Sequence, residues 1–295
     1  MGAMTSGPIR IGAFALLAAV AGCASGDHTD RRPFDGPRSK SREGGVLVAP
    51  RPLAEAAPRT LGTLQPKAPV PARPAERRRP GFWGRPILVE DFSGRRLDSR
   101  AWAVYHSPDA RVHPRTRHAV RVAGGALRIS GGNFGGRDLS GGVASLIDQR
   151  YGRWQVRMRA DRGGGYSAVA LLWPERMGDP EHAEIDFAEI IDPARRTHGM
   201  FIHRGPDGAT ARRAVRADFT RWRTVTVDWL PGRVVIWLDG RRVWDYRGPL
   251  VPRRGRMGLA LQNDVVCGPG SCRTGRTPRE VTMHVDWVRI HRFPG

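Results

Sequence analysis

Along the C-terminal two-thirds of the chain, apolar residues recur at every second position in short runs. Ala126–Ser130, Trp154–Arg159, Thr224–Trp229, Val234–Leu238 and His284–His291 are the clearest. A strand turns successive side chains to opposite faces, so this alternation predicts antiparallel strands with one face buried and one wet. Turn pairs such as Pro231-Gly232 and Asp239-Gly240 fall between the runs, where tight reversals need positive φ. No helical stripe longer than three turns interrupts them. Many short strands over about 210 residues predict an all-β domain, a sandwich or jelly roll.

From Ala24 to about Pro80 the alternation is absent and Pro, Arg, Ala, Gly and Ser dominate. Such a stretch cannot bury enough apolar surface to offset ordering and reads as a flexible tether, with an average span of roughly 40–45 Å. Ahead of it, Ile11–Ala21 is an apolar run broken only by Gly12 and preceded by Arg10. A bilayer requires about 20 apolar residues, so the run reads as an export signal. It ends in Val20-Ala21-Gly22-Cys23, which resembles the bacterial lipobox, in which the cysteine is lipidated and becomes the mature N-terminus. An ordinary export signal followed by a chance cysteine is the alternative. The expected division is signal 1–22, tether 23–81 and the all-β domain 82–295. The chain is then exported, held on the outer side of the bacterial cell membrane by its lipid, and expected to be monomeric.

Cysteine usage is consistent with export. Three cysteines are present; with Cys23 lipidated, Cys267 and Cys272 remain as an even pair in a turn-rich segment. That spacing predicts a disulfide worth roughly 2 kcal/mol. It is poor zinc spacing without further His or Cys, so no metal is assigned there.

Lys+Arg number 49 against 28 Asp+Glu, giving +21, and only Lys40 and Lys67 are lysines. Basic chains bind nucleic acid, anionic membranes or acidic polymers. No helix-turn-helix, zinc-finger or RNA-binding signature is present, and a nucleic-acid partner is not expected. Beyond position 81 there are 36 basic and 22 acidic residues, and the arginines fall in every segment. Compositional bias explains that spread; an anionic partner is the second reading.

The sharpest chemical signal is Glu184-Ile-Asp-Phe-Ala-Glu189, three acids inside an apolar run continuing to Ile191. Burying carboxylates in a hydrophobic strand is costly without a purpose. On a regular strand Glu184 and Asp186 share a face and Glu189 takes the other. One extra residue in a β-bulge at Phe187-Ala188 returns Glu189 to the face of the other two.

This segment resembles the catalytic signature of glycoside hydrolase family 16, in the E-x-D-x-x-E form of laminarinase-like members. Tyr151-Gly-Arg-Trp-Gln-Val-Arg157, Asp218-Phe-Thr-Arg-Trp222, Trp237-Leu-Asp-Gly240 and Val285-Asp-Trp-Val-Arg-Ile290 are similar to other blocks of the family, in the same order. The resemblance implies a curved, two-sheet, concanavalin A-like jelly roll and retaining double displacement. Glu184 is then the nucleophile, Glu189 the general acid and base, and Asp186 the residue that tunes Glu184. Gln155 (where the family usually has Glu), Arg157, His203, Gln262 and Asn263 match substrate-contacting positions. Each also has a plainer reading as an ordinary strand residue. Trp173 reads as core. No cofactor is required, although some family members hold a structural calcium, and Asp286 occupies a position that can ligate it.

The substrate expected from the resemblance is a β-linked polysaccharide, first a β-1,3- or mixed-linkage β-glucan cut internally. A transglycosylase or an agar- or carrageenan-type galactan hydrolase of the same fold is the alternative. A non-catalytic carbohydrate-binding lipoprotein ranks last, because binding alone gives no reason for three acids on one strand. Neutral glucan is favoured because no arginine lies between Glu184 and Asp192. A bell-shaped pH profile with a mildly acidic optimum is expected.

Overall fold

A computed structural model describes residues 82–175, 183–205 and 208–295. The expected signal, Cys23 and the tether lie outside the described residues. In chain order the strands are β1 Leu88–Glu90, β2 Trp102–Val104, β3 Val120–Val122, β4 Leu127–Phe134, β5 Arg137–Leu139, β6 Gly141–Gln149, β7 Gly152–Ala160 and β8 Ala168–Pro174. The acidic segment is β9 Ala183–Ile190. There follow β10 Thr197–Arg204, β11 Ala209–Arg216, β12 Arg223–Leu230, β13 Arg233–Leu238, β14 Arg241–Tyr246, β15 Met257–Asn263 and β16 Glu280–Arg292. The only helical element among the described residues is a 3-10 turn, Arg117–Ala119.

The strands form two antiparallel sheets. One runs β14-β13-β12-β7-β16-β4-β3, with β1 on β16 and β5 on β4; the other runs β11-β10-β9-β8-β15-β6-β2. This is the all-β jelly roll that the alternation predicts. The β12–β13 and β13–β14 hairpins turn at the expected pairs, with Gly232 at φ 69°, and Asp239 and Gly240 at 50° and 78°.

Alternation decides which side chains enter the core. On β7, Trp154, Val156 and Met158 point inward and are fully buried, while Arg153, Gln155 and Arg157 point out. They meet Ile185, Phe187, Leu259 and Leu261 of the second sheet in one cluster. Trp154 stacks on Trp229 with centroids 6.5 Å apart, and Trp229 Nε1 donates to the Pro252 carbonyl at 3.0 Å.

Two buried polar side chains hold this layer arrangement. Asn263 Nδ2 donates to the carbonyls of Ile129 (3.0 Å) and Val281 (2.8 Å), joining the end of β15 to β4 and β16. Arg195, in the left-handed region at φ 59°, donates Nε to Asp161 O (2.8 Å), Nη1 to Ile190 O (3.0 Å) and Nη2 to Gly163 O (3.1 Å). Burial lowers its pKa to about 10, so it stays charged at neutral pH. It thereby clamps the last residue of β9. Cys267 and Cys272 are joined by a disulfide in the loop after β15.

Candidate active site

Strand β9 carries the acids on the face opposite the core. Ile185, Phe187, Ala188 and Ile190 are all fully buried in the core cluster, so Glu184, Asp186 and Glu189 share the open face. Two consecutive inward residues, Phe187 and Ala188, break the alternation. Against β10 the pairing passes from Asp186↔Phe201 to Glu189↔Gly199, so both oppose Met200 alone. Against β8 it passes from Asp186↔Leu171 to Ala188↔Ala170. This is the bulge that a shared face requires. A bulge loosens a carbonyl from the ladder, and buried His198 meets that need: its Nε2–H donates to Phe187 O at 2.8 Å. Burial lowers the His198 pKa to about 4, so the ring is neutral.

The three acids and His203 form a chain of proton contacts. Glu184 is hydrogen-bonded to Asp186, and Asp186 lies 3.1 Å from His203 Nε2. His203 Nδ1 is 2.9 Å from Thr210 Oγ1, whose own hydrogen is given to Gly208 O. Thr210 must therefore accept from Nδ1–H, and a proton occupies the Asp186–His203 contact whichever residue carries it. Ligand atoms of Glu184, Asp186 and His203 all lie within 4.8 Å of one another, the one such grouping among the described residues.

Burial raises Glu184 well above the usual carboxylate range, and the charges of Asp186, Glu189 and Asp264 add to it. Glu189 is raised to about 8, again first by burial, then by Asp186 and Asp264. A carboxyl raised in this way holds its proton at neutral pH and loses it as pH rises through this value, which suits proton donation. Scanning kcat/KM from about pH 4 to about pH 10 should give a basic limb near 8 that belongs to the coupled cluster. A basic limb below about pH 6 contradicts the arrangement.

Several expected contacts are corrected by the topology. Gln155 and Arg157 lie on the outer face of the nine-stranded sheet, with the whole core between them and the acids. Gln155 bonds Thr226 at 3.4 Å and Arg157 pairs with Asp286 at 2.9 Å. Gln262 and Asn263 cannot share a face, being adjacent on a strand. Gln262 reaches the open face, and Asn263 turns inward to bond the other sheet. Trp173 is not in the main core; it is half-buried on the open face with Val169, Leu171 and Ala260. Among expected site residues, Glu184, Asp186, Glu189, His203 and Gln262 share that face.

Other residues join them without having been singled out. Phe201 stacks on His203, with centroids 5.8 Å apart and planes at 13°. Arg115 and Asp264 form a buried ion pair at Gln262. Extending the alternation two residues past Gln262 would have found Asp264; nothing local marks Arg115, which lies outside the strands.

A jelly roll with interacting carboxylates and an aromatic surface on one open sheet face defines a carbohydrate-cleaving enzyme. The model of glycosyl hydrolases family 16 matches residues 111–250 of the chain. No curated protein matches the chain. Among solved structures, the catalytic domain of an endo-1,3-beta-glucanase (laminarinase) from Thermotoga petrophila is similar with a TM-score of 0.62 at 17% identity, covering 72% of this chain and 98% of that one. The endo-beta-1,3-glucanase from Pyrococcus furiosus gives 0.61 at 16%, covering 70% and 94%. Porphyranase B from Zobellia galactanivorans gives 0.58 at 17%, covering 75% and 97%. At these identities the likeness establishes the fold.

Proposed function

We propose that this glycoside hydrolase is a retaining, endo-acting enzyme whose substrate is a β-1,3- or mixed-linkage β-glucan. The observation that carries the reading is the bulge that places Glu184, Asp186 and Glu189 on one open face. Glu184 attacks the anomeric carbon and forms a glycosyl-enzyme, having passed its proton toward the Asp186–His203 contact. Glu189 gives its proton to the leaving oxygen, then takes one from the water that releases the sugar. Trp173 and Phe201 offer apolar surface on either side of β9 for sugar rings.

A specific observation favours the galactan alternative. Strand β11 brings Arg212 onto the open face, two residues from Thr210 and opposite Phe201, and no acid among the described residues pairs with it. The expected result is faster cleavage of laminarin and mixed-linkage glucan than of agarose or carrageenan, with little effect of salt. Faster cleavage of carrageenan, strongly weakened by salt, would overturn the neutral-glucan reading and assign Arg212 to an anionic substituent.

The placement that goes with this function is export and anchoring through lipid on Cys23. The tether of residues 23–81 then carries the catalytic domain out to polymer. Mass spectrometry of the mature N-terminus tests it; an unmodified N-terminus elsewhere than Cys23 rejects the anchor.

A further inference from the structure

Arg115 and Asp264 are 2% and 3% exposed, yet they lie against the open face that bears the acids. Asp264 follows Gln262 by two residues and keeps its side. Arg115 Nε donates to Asp264 Oδ1 at 2.9 Å, and Nη2 donates to the same oxygen and to Gln262 Oε1 at 3.0 Å. Both guanidinium bonds to Asp264 thus fall on Oδ1, leaving Oδ2 outside the pair. Gln262 also bonds Tyr105, whose ring lies across Gly142; a Cβ on that glycine would fall 2.5 Å from the ring. Across the sheet, Gln262 pairs with Val169 and Val169 with Glu189. One valine separates the two polar side chains.

A buried ion pair contributes little net stability, because desolvation offsets most of the attraction. What it supplies is a carboxylate of fixed position. We propose that Asp264, oriented by Arg115, is a positioning residue that keeps Glu189 protonated until the leaving oxygen takes the proton. The inference rests on Glu189 being the general acid. Among the described residues, Glu184 and Asp186 flank Glu189 from its own strand, and β10 contributes Phe201 and His203, the latter engaged with Asp186. Val169 comes from β8, and Gln262, Asp264, Arg115 and Tyr105 come from β15 and beyond. Asp264 is the one carboxylate approaching from that side, and its charge raises both glutamates.

Asp264→Asn keeps the shape and the acceptor oxygen while removing the charge. The Glu189 carboxyl is followed in the full chain by 13C NMR with labelled glutamate, assigned through Glu189→Gln. Its midpoint should fall by about one pH unit, and the basic limb of kcat on laminarin should fall with it while KM changes little. The double variant Arg115→Met/Asp264→Asn replaces the whole pair by neutral groups, a change that buried pairs commonly tolerate, and should show the same fall. An unmoved midpoint in either folded variant overturns the role of Asp264. Failure of both variants to fold overturns it too, since the pair would then be structural. Retained turnover in Glu189→Gln instead overturns the acid assignment beneath it.

Discussion

With Glu184 as the proposed nucleophile, Glu184→Ala should lower turnover by roughly 10⁴-fold or more, because the glycosyl-enzyme bond can no longer form. Azide should partly restore it by entering the vacated space, and the product of rescue should be the α-glycosyl azide. Glu189→Gln loses less, about 10²–10⁴-fold, since only proton transfer is removed, and the loss shrinks for activated aryl glycosides that need no acid. The same variant has a signature in stability. Glu189 rises from 4.5 to about 8 on folding, so between those values the folded state holds a proton that the unfolded chain has released. Stability therefore falls as pH rises through this window. Relative to the parent, Glu189→Gln should melt higher at about pH 9, with the advantage vanishing near about pH 4. Full activity in Glu184→Ala, an inverted anomeric product from the parent, or no pH-dependent stability gain would each contradict these roles.

Arg195→Met should destabilise the domain by about 3–6 kcal/mol, read as a lower urea midpoint with an unchanged m-value. Three carbonyls, of Asp161, Ile190 and Gly163, lose their donors at once, in a place where a methionine offers none. Each unsatisfied buried carbonyl costs about 1–3 kcal/mol, part of which is recovered because the buried charge is also removed. Ile190 closes the strand that carries Glu189, so activity should fall at temperatures well below the melting point. Arg195→Lys, able to reach some of the carbonyls, should lie between. A loss under about 1 kcal/mol in Arg195→Met would show that water replaces the clamp.

The bulge shows how far local pattern reaches. Once the three acids are required to share a face, period-two alternation demands one surplus residue between Asp186 and Glu189, and the structure has it at Phe187-Ala188. The bond that steadies it, from His198 to Phe187 O, comes from the neighbouring strand. A histidine after Thr197 carries no mark of that task. Trp173 shows the same limit from the other side: a tryptophan in an apolar run reads as core, yet its strand is apolar on both faces and only the sheet order exposes it. Charge around the acids follows the same rule. No arginine is local to the acids in sequence, but Arg212 reaches the same face through β11, and Arg115 reaches it from a loop outside the strands.

By itself, the sequence determined the all-β class, the turn positions, the inward and outward sets on the alternating strands, and the strand that carries the three acids. All of these depend on side-chain alternation and backbone preference within a few residues. Tertiary structure alone decided which open face each outward set belongs to. Gln155 and Arg157 alternate as faithfully as Glu184 and Asp186, but β7 and β9 lie in different sheets, so the core stands between them. Alternation distinguishes inside from outside and cannot tell one outside from another; that is settled by strand order, fixed by pairings between residues far apart in the chain.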